Sequence, residues 1–189
     1  MDIKQKILRF LIENKDTSPS INKISKSLRM DYKLIYINIG NLEKDKSIKV
    51  EDLGSIKRCR FDDDFNKDVF IVENERKKQF LENKKCYAIY ERLTGIKGQF
   101  ILLLFGSYVK GTETKNSDID LLLVSNKDNV KIIEEKLEIL PLKIHLTSIN
   151  YNSFSEMIKN REQTVVSEAI KKNIILFGVE DYYRLLKNA

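Results

Sequence analysis

Phe100-Ile101-Leu102-Leu103-Leu104-Phe105-Gly106-Ser107 opens the stretch that decides the fold, and Ser117-Asp118-Ile119-Asp120-Leu121-Leu122-Leu123-Val124 closes it. Each half carries an unbroken apolar run, the pattern of a strand covered on both faces. The loop between them starts with Gly-Ser and ends with Asp-x-Asp. A glycine at that point lets the backbone come close to a ligand. With Asp118 and Asp120 at i and i+2 of a strand, both carboxylates are expected on one face. Such a pair suits Mg²⁺, which holds to one or two carboxylates and takes its other ligands from water and phosphate oxygens. Gly106 and Ser107 are then candidates to offer N–H groups and a hydroxyl to a phosphate. Lys110 and Lys115, in the loop, are candidates to neutralise a leaving pyrophosphate, and Tyr108 sits at the mouth of the site.

Downstream, Val130, Ile132, Ile133 and Leu137 predict a helix, which Leu140-Pro141 breaks. Leu142 to Thr147 reads as a third strand. Phe154, Met157, Ile158, Val165, Val166, Ala169 and Ile170 predict one long helix. A short strand, Ile174 to Phe177, and a closing helix, Glu180 to Lys187, complete the chain. Tyr182-Tyr183 in that helix is read as packing. Upstream, Phe80, Tyr87, Tyr90 and Leu93 predict a single helix from about Val69 to Leu93, ended by Thr94-Gly95. Strands with helices between them form an α/β or α+β layer fold, and a mixed sheet beside a separate helical domain makes the expected class α+β.

The first third has a different character. Residues 1–60 hold 14 Lys and Arg against 8 Asp and Glu, and the rest of the chain is neutral, so the whole net charge of +6 lies here. Ile3, Ile7, Leu8, Phe10 and Leu11 predict a first helix. Ser20 caps a second, with Ile21, Ile24 and Leu28 as its face. Asp31 caps a third, lined by Tyr32, Ile35, Tyr36, Ile39 and Leu42. Two short strands follow, Ser47 to Glu51 and Ser55 to Phe61, around Asp52-Leu53-Gly54. Three helices and a basic hairpin resemble a winged helix-turn-helix. That resemblance implies double-stranded DNA as a partner, with the third helix in the major groove and the hairpin on the backbone. Lys33, Asn38 and Asn41 are the base-reading candidates, with Tyr32 a lesser one. Lys57, Arg58 and Arg60 are the phosphate candidates. Strand alternation sets Arg58 and Arg60 on one face and Lys57 on the other. Three-helix units also serve as dimerisation or docking domains, and a winged helix often goes with a homodimer; both readings stand beside DNA binding.

Gly-Ser, ten residues, then Asp-x-Asp is similar to the signature of the polymerase-beta-like nucleotidyltransferase superfamily, and especially to minimal nucleotidyltransferases that act as antitoxins beside HEPN-type toxins. The resemblance covers about residues 80–189, and Gly111 and Ser117 also fit it. It implies ATP or another NTP as substrate with Mg²⁺, bound by Gly106, Ser107, Lys110 and Ser117, with Asp118 and Asp120 as metal ligands. The product would be a nucleoside monophosphate joined to a hydroxyl of a protein, small molecule or nucleic acid. A HEPN-like toxin is a candidate acceptor. The family usually carries a third carboxylate on the next strand, and Lys143-Ile144-His145-Leu146-Thr147 has none. His145, the chain's one histidine, falls near that place. It is a candidate general base or metal ligand, or simply a strand residue on an exposed face. Glu113 is a candidate substitute acid in the loop.

The expected organisation is a winged helix-turn-helix DNA-binding domain over residues 1–68, a connecting helix over 69–97, and a small mixed-sheet nucleotidyltransferase domain over 98–189. The function it implies is a DNA-binding nucleotidyltransferase; the alternative is a transcription regulator whose second domain senses nucleotide without turnover. No apolar run approaches a membrane span, and no apolar segment follows the charged N-terminus, so no membrane association and a cytoplasmic location are expected. Cys59 and Cys86 have no metal-ligand spacing and read as reduced thiols.

Overall fold

The computed structural model describes residues 1–160 and 164–188. The chain divides into two compact units, Met1–Asn74 and Glu75–Ala189.

In the first unit, α1 (Ile3–Glu13) starts at a capping box: Asp2 accepts from the Gln5 N–H, and the Gln5 side chain accepts from the Asp2 N–H. Ser20 caps α2 (Ile21–Leu28) and Asp31 caps α3 (Tyr32–Lys44), as their side-chain chemistry leads one to expect. β1 (Ile48–Asp52) and β2 (Lys57–Phe61) form an antiparallel hairpin, with Ile48 opposite Phe61 and Asp52 opposite Lys57. The core is apolar and shared: Ile7, Leu8 and Leu11 of α1, Ile24 of α2, Ile35, Ile39 and Leu42 of α3, and Ile48, Cys59 and Phe61 of the hairpin are all buried. Of the residues expected to line α3, Tyr36 and Tyr32, the latter also a lesser base-reading candidate, are exposed. Ile35, Ile39 and Leu42 fill the stripe that α1 and α2 cover, and the tyrosines fall beside it.

The segment expected as one helix is two, α4 (Lys67–Phe80) and α5 (Lys84–Leu93). The break has a local cause. Asn83 takes an extended conformation and its side chain accepts from the N–H groups of Lys85 and Cys86, so it starts a new helix.

In the second unit, β3 (Ile101–Phe105) is buried at every residue. One turn of helix, α6 (Ser107–Lys110), and a loop lead to β4 (Ile119–Val124), which returns antiparallel to β3. α7 (Lys127–Glu138) carries the chain over to β5 (Ile144–Ile149), parallel to β4, as a crossover connection requires. β5 starts two residues later than the sequence pattern indicates, because a tight turn from Leu142 N–H to Leu140 carbonyl holds Leu142 outside it.

The long helix expected around Phe154 and Ile170 is α8 (Tyr151–Asn160) followed by a separate α9 (Val165–Lys171). Thr164, with φ −128° and ψ 171°, cannot continue a helix, and it caps α9. Residues 161–163 of that expected helix lie outside the described residues. β6 (Ile174–Phe177) joins the far side of β3 and α10 (Val179–Asn188) closes the unit. The sheet order is β5-β4-β3-β6, mixed in direction, and the architecture is α+β. α5 and α7 cover one sheet face, burying Ile89, Leu93, Ile133 and Leu137 against Leu102, Leu104, Leu121 and Leu123. Tyr182 and Tyr183 are both fully buried, and Tyr182 accepts a hydrogen bond from Asn173, which agrees with a packing role. Among the described residues no helix is long and apolar enough to cross a membrane.

Candidate nucleotide and metal site

The site starts where β3 ends. Phe105 is paired with Asp120 across the antiparallel ladder, so the next residue, Gly106, lies against the Asp120 carboxylate. Gly106 has φ 73° and ψ −149°, and any Cβ there would overlap that carboxylate. The glycine is therefore required twice, by the backbone angle and by its neighbour. The chain then turns through α6, which ends at Gly111 in the left-handed region.

The two aspartates differ. β4 begins at Ile119, so Asp118 is the last loop residue and strand alternation does not govern it. This corrects the expectation that both lie within one strand. Asp118 is exposed, whereas Asp120 is half-buried. The register of β4 and β5 sets His145 directly beside Asp120, with Nδ1 3.4 Å from Oδ1. Adjacent residues in register on parallel strands share a face, so the imidazole occupies the neighbouring place from which a carboxylate on this strand would face Asp120. Its side chain is 64% exposed against 27% for Asp120, so the pair opens to solvent on the histidine side. Among the described residues no group of three or more His, Cys, Asp or Glu side chains is gathered as for a metal ion.

The loop residues have mixed fates. Ser117 closes the loop on itself: its hydroxyl accepts from the Thr114 N–H, and its own N–H donates to the Thr114 carbonyl. Lys110 is tied to Glu168 of α9 at 2.6 Å. Sequence reasoning missed that pair because the two residues are 58 positions apart. Ser107 is half-buried at the start of α6, while Glu113 and Lys115 lie exposed in the loop. Tyr108 is buried in the core and its hydroxyl accepts from Lys85 of α5, so it props the loop from beneath. Cys59 and Cys86 are free buried thiols, and burial pushes each up to about 11.

In the first unit, Arg58 and Arg60 are exposed on one face of the hairpin, which Lys49 and Glu51 share across the ladder. Lys57 turns the other way, 3.4 Å from Asp52 and over the Tyr36 ring. Lys33 is exposed. Asn38 and Asn41 are only half-exposed, and Asn38 donates to the Leu34 carbonyl of its own helix. The outer surface of α3 is instead formed largely by Tyr32, Leu34, Tyr36 and Ile37. Helical periodicity places Tyr36 one turn after Tyr32 on an apolar stripe, so it offers Tyr32 only as a lesser candidate and Tyr36 not at all.

Residues 99–177, β3 to β6, match the family model described as the nucleotidyltransferase domain. The matched segment contains Gly106, Asp118, Asp120 and His145, so the site belongs to a segment similar to domains of nucleotidyl transfer. No curated protein matches the chain. Among solved structures, a crystal structure of a toxin–antitoxin with AMP-PNP is similar at 19% identity, over 54% of this chain and 80% of that one, with a TM-score of 0.35. A likeness that weak adds nothing to the assignment.

Proposed function

We propose that the protein is a DNA-binding nucleotidyltransferase that moves a nucleoside monophosphate from an NTP, ATP foremost, to a hydroxyl on a macromolecule. The observation that carries this reading is Gly106 seated against Asp120 in the segment that matches the nucleotidyltransferase domain. Two carboxylates, Asp118 and Asp120, are a sufficient protein contribution for Mg²⁺, which takes its remaining ligands from water and phosphates. When bound, the ion would offset the charge of the triphosphate. Backbone N–H groups after Gly106 would seat a phosphate, and Lys115 would face the leaving group. Lys110 would join them only by leaving Glu168.

In the reaction the acceptor oxygen bonds to the α-phosphorus, the bond from that phosphorus to the α–β bridging oxygen breaks, and pyrophosphate leaves. The hydroxyl proton must go elsewhere. With His145 Nδ1 turned to Asp120, a neutral imidazole donating there leaves Nε2 as the proton acceptor. A HEPN-like toxin as the acceptor protein rests on the sequence resemblance. Double-stranded DNA as a second partner is supported by the charge of residues 1–60 and by Arg58 and Arg60 on one open face.

The test is incubation of the purified protein and a partner protein with Mg²⁺ and labelled NTPs. Label should reach the partner, and Asp118→Asn with Asp120→Asn should abolish it. Transfer that persists in that double variant sinks the site assignment. A second reading is favoured by His145 standing where an acid is usual: a transcription regulator that binds nucleotide without turnover. In that case ATP with Mg²⁺ alters DNA affinity and no pyrophosphate is released.

A further inference from the structure

β5 is the outer strand of its sheet and pairs only with β4 among the described residues. The backbone groups on its other side meet no strand there, which makes that side a template for an added chain. Two cavities follow it, the first between β5 and α7 and the second walled by α8 as well. The first, of about 470 Å³, is floored by Leu137, Leu140, Ile144 and Leu146, with Glu134 and Glu138 at its rim. The second, of about 400 Å³, is lined by Val130, Ser148, Ile149 and Met157 among others.

Their linings follow one another along β5, Ile144 to Leu146 and then Ser148 and Ile149. Ile144, Leu146 and Ser148 alternate on one face of β5, and the four steps from Ile144 to Ser148 span about 13 Å. Val130, Glu134, Leu137 and Glu138 fall on one side of α7, and the seven steps from Val130 to Leu137 span about 10 Å of helix. His145 borders the first cavity through its place in the strand, while its ring lies on the opposite face, 3.4 Å from Asp120. The groove of the first cavity and the candidate site thus lie on opposite faces of the same strand.

We infer that an extended polypeptide segment adds to the free side of β5 as a further strand, with an apolar side chain among Leu137, Leu140, Ile144 and Leu146 and a Lys or Arg against Glu134 and Glu138. The acidic rim selects the basic partner residue, in a chain whose own net charge is +6. In strand addition the main chain supplies affinity and pockets for alternate side chains supply specificity. Residues next to the anchor point to the other face, the one that holds His145 and Asp120. The added strand lies two strand spacings, about 9.6 Å, from β4. A hydroxyl carried beside the anchor therefore faces the site. The fate of that hydroxyl rests on the proposed nucleotidyl transfer; the binding of the strand does not.

The probe is a phage library of random decapeptides, selected on the full chain carrying Asp118→Asn and Asp120→Asn so that no turnover occurs. Enriched sequences should share an apolar residue with Lys or Arg two positions away. Synthetic copies should bind about tenfold more weakly to the chain carrying Glu134→Lys and Glu138→Lys, the loss expected of two rim ion pairs. Peptides with Glu in place of the basic residue should recover that loss. Both glutamates are exposed, and circular dichroism checks that the charge-reversed chain is folded. N-methylation of alternate peptide bonds should also weaken binding. No enrichment, or enriched peptides that bind the charge-reversed chain equally well, overturns the inference. Peptide binding without label transfer by the wild-type chain leaves the groove intact and removes only the transfer reading. Transfer to a protein acceptor that survives Glu134→Lys and Glu138→Lys unchanged removes the groove and leaves the transfer.

Discussion

Gly106→Ala tests the geometry of the site most directly. With φ 73° and ψ −149°, Gly106 sits in a region that costs other residues about 1–3 kcal/mol. A Cβ there would lie 2.9 Å from Asp120 Cγ and 3.2 Å from Asp120 Cβ, and would overlap Oδ2. Overpacking of this kind costs roughly 1–3 kcal/mol more, unless the neighbour gives way. Asp120 can give way only by leaving its place beside His145. The variant should therefore lose about 2–6 kcal/mol of stability, or lose about 1–3 kcal/mol and its nucleotide affinity together. Urea unfolding followed by circular dichroism measures the first, and calorimetric titration with ATP and Mg²⁺ the second.

Two other glycines calibrate the result. Gly54 has φ 79°, and a Cβ there would meet no atom within 4 Å, so Gly54→Ala should show backbone strain alone, about 1–2 kcal/mol. Gly40 lies inside α3 with nothing within 4 Å, so Gly40→Ala should gain about 0.5–1 kcal/mol. If Gly106→Ala costs no more than Gly54→Ala and leaves nucleotide binding unchanged, the close approach of Gly106 to Asp120 is not what shapes the site.

Glu168→Gln should free Lys110 and tighten nucleotide binding, while Lys110→Met should weaken it; each should change stability by less than about 1 kcal/mol, since the ion pair is half-exposed. Equal affinities in the two variants would remove Lys110 from the triphosphate. Because burial raises both thiols from 9.0 to about 11, the unfolded chain loses these protons first; stability should fall as pH rises from about 9 toward 11, and Cys59→Ala with Cys86→Ala should flatten that fall. Below pH 9 these groups are protonated in both states and contribute no slope. Arg58→Ala with Arg60→Ala should weaken DNA binding on every sequence and reduce the slope of log K against log salt by about 2, read by fluorescence anisotropy; an unchanged slope places DNA elsewhere.

Much of the fold follows from local chemistry. Ser20 and Asp31 are good caps wherever an apolar helical pattern follows them, and both start helices here. The runs before Gly106 and after Asp120 are too apolar to lie anywhere but in a covered sheet, and every residue of β3 is buried. The departures have a common origin. Periodicity joins segments that a single polar side chain divides: Asn83 between α4 and α5, Thr164 before α9. The cap competes with the helix over one or two N–H groups, and a hydrophobic pattern carries no record of that competition. Tyr36 leaves its expected stripe for a related reason, since an aromatic ring fits either a core stripe or an exposed surface.

Sequence alone determined the ingredients of the site: a buried strand, a Gly-Ser turn, a loop of fixed length and an Asp-x-Asp entering a second buried strand. It also showed that the next strand brings no acid. The tertiary structure decided that His145, rather than Lys143 or Thr147, stands level with Asp120, and that Asp118 stays outside the strand. It also decided that Lys110 meets Glu168. Strand alternation repeats every two residues along one strand, but the register between two parallel strands is set by how the crossover helix between them packs on the sheet. That packing is the sum of contacts made by Ile133 and Leu137 with residues far away in the chain, and no short stretch of sequence contains it.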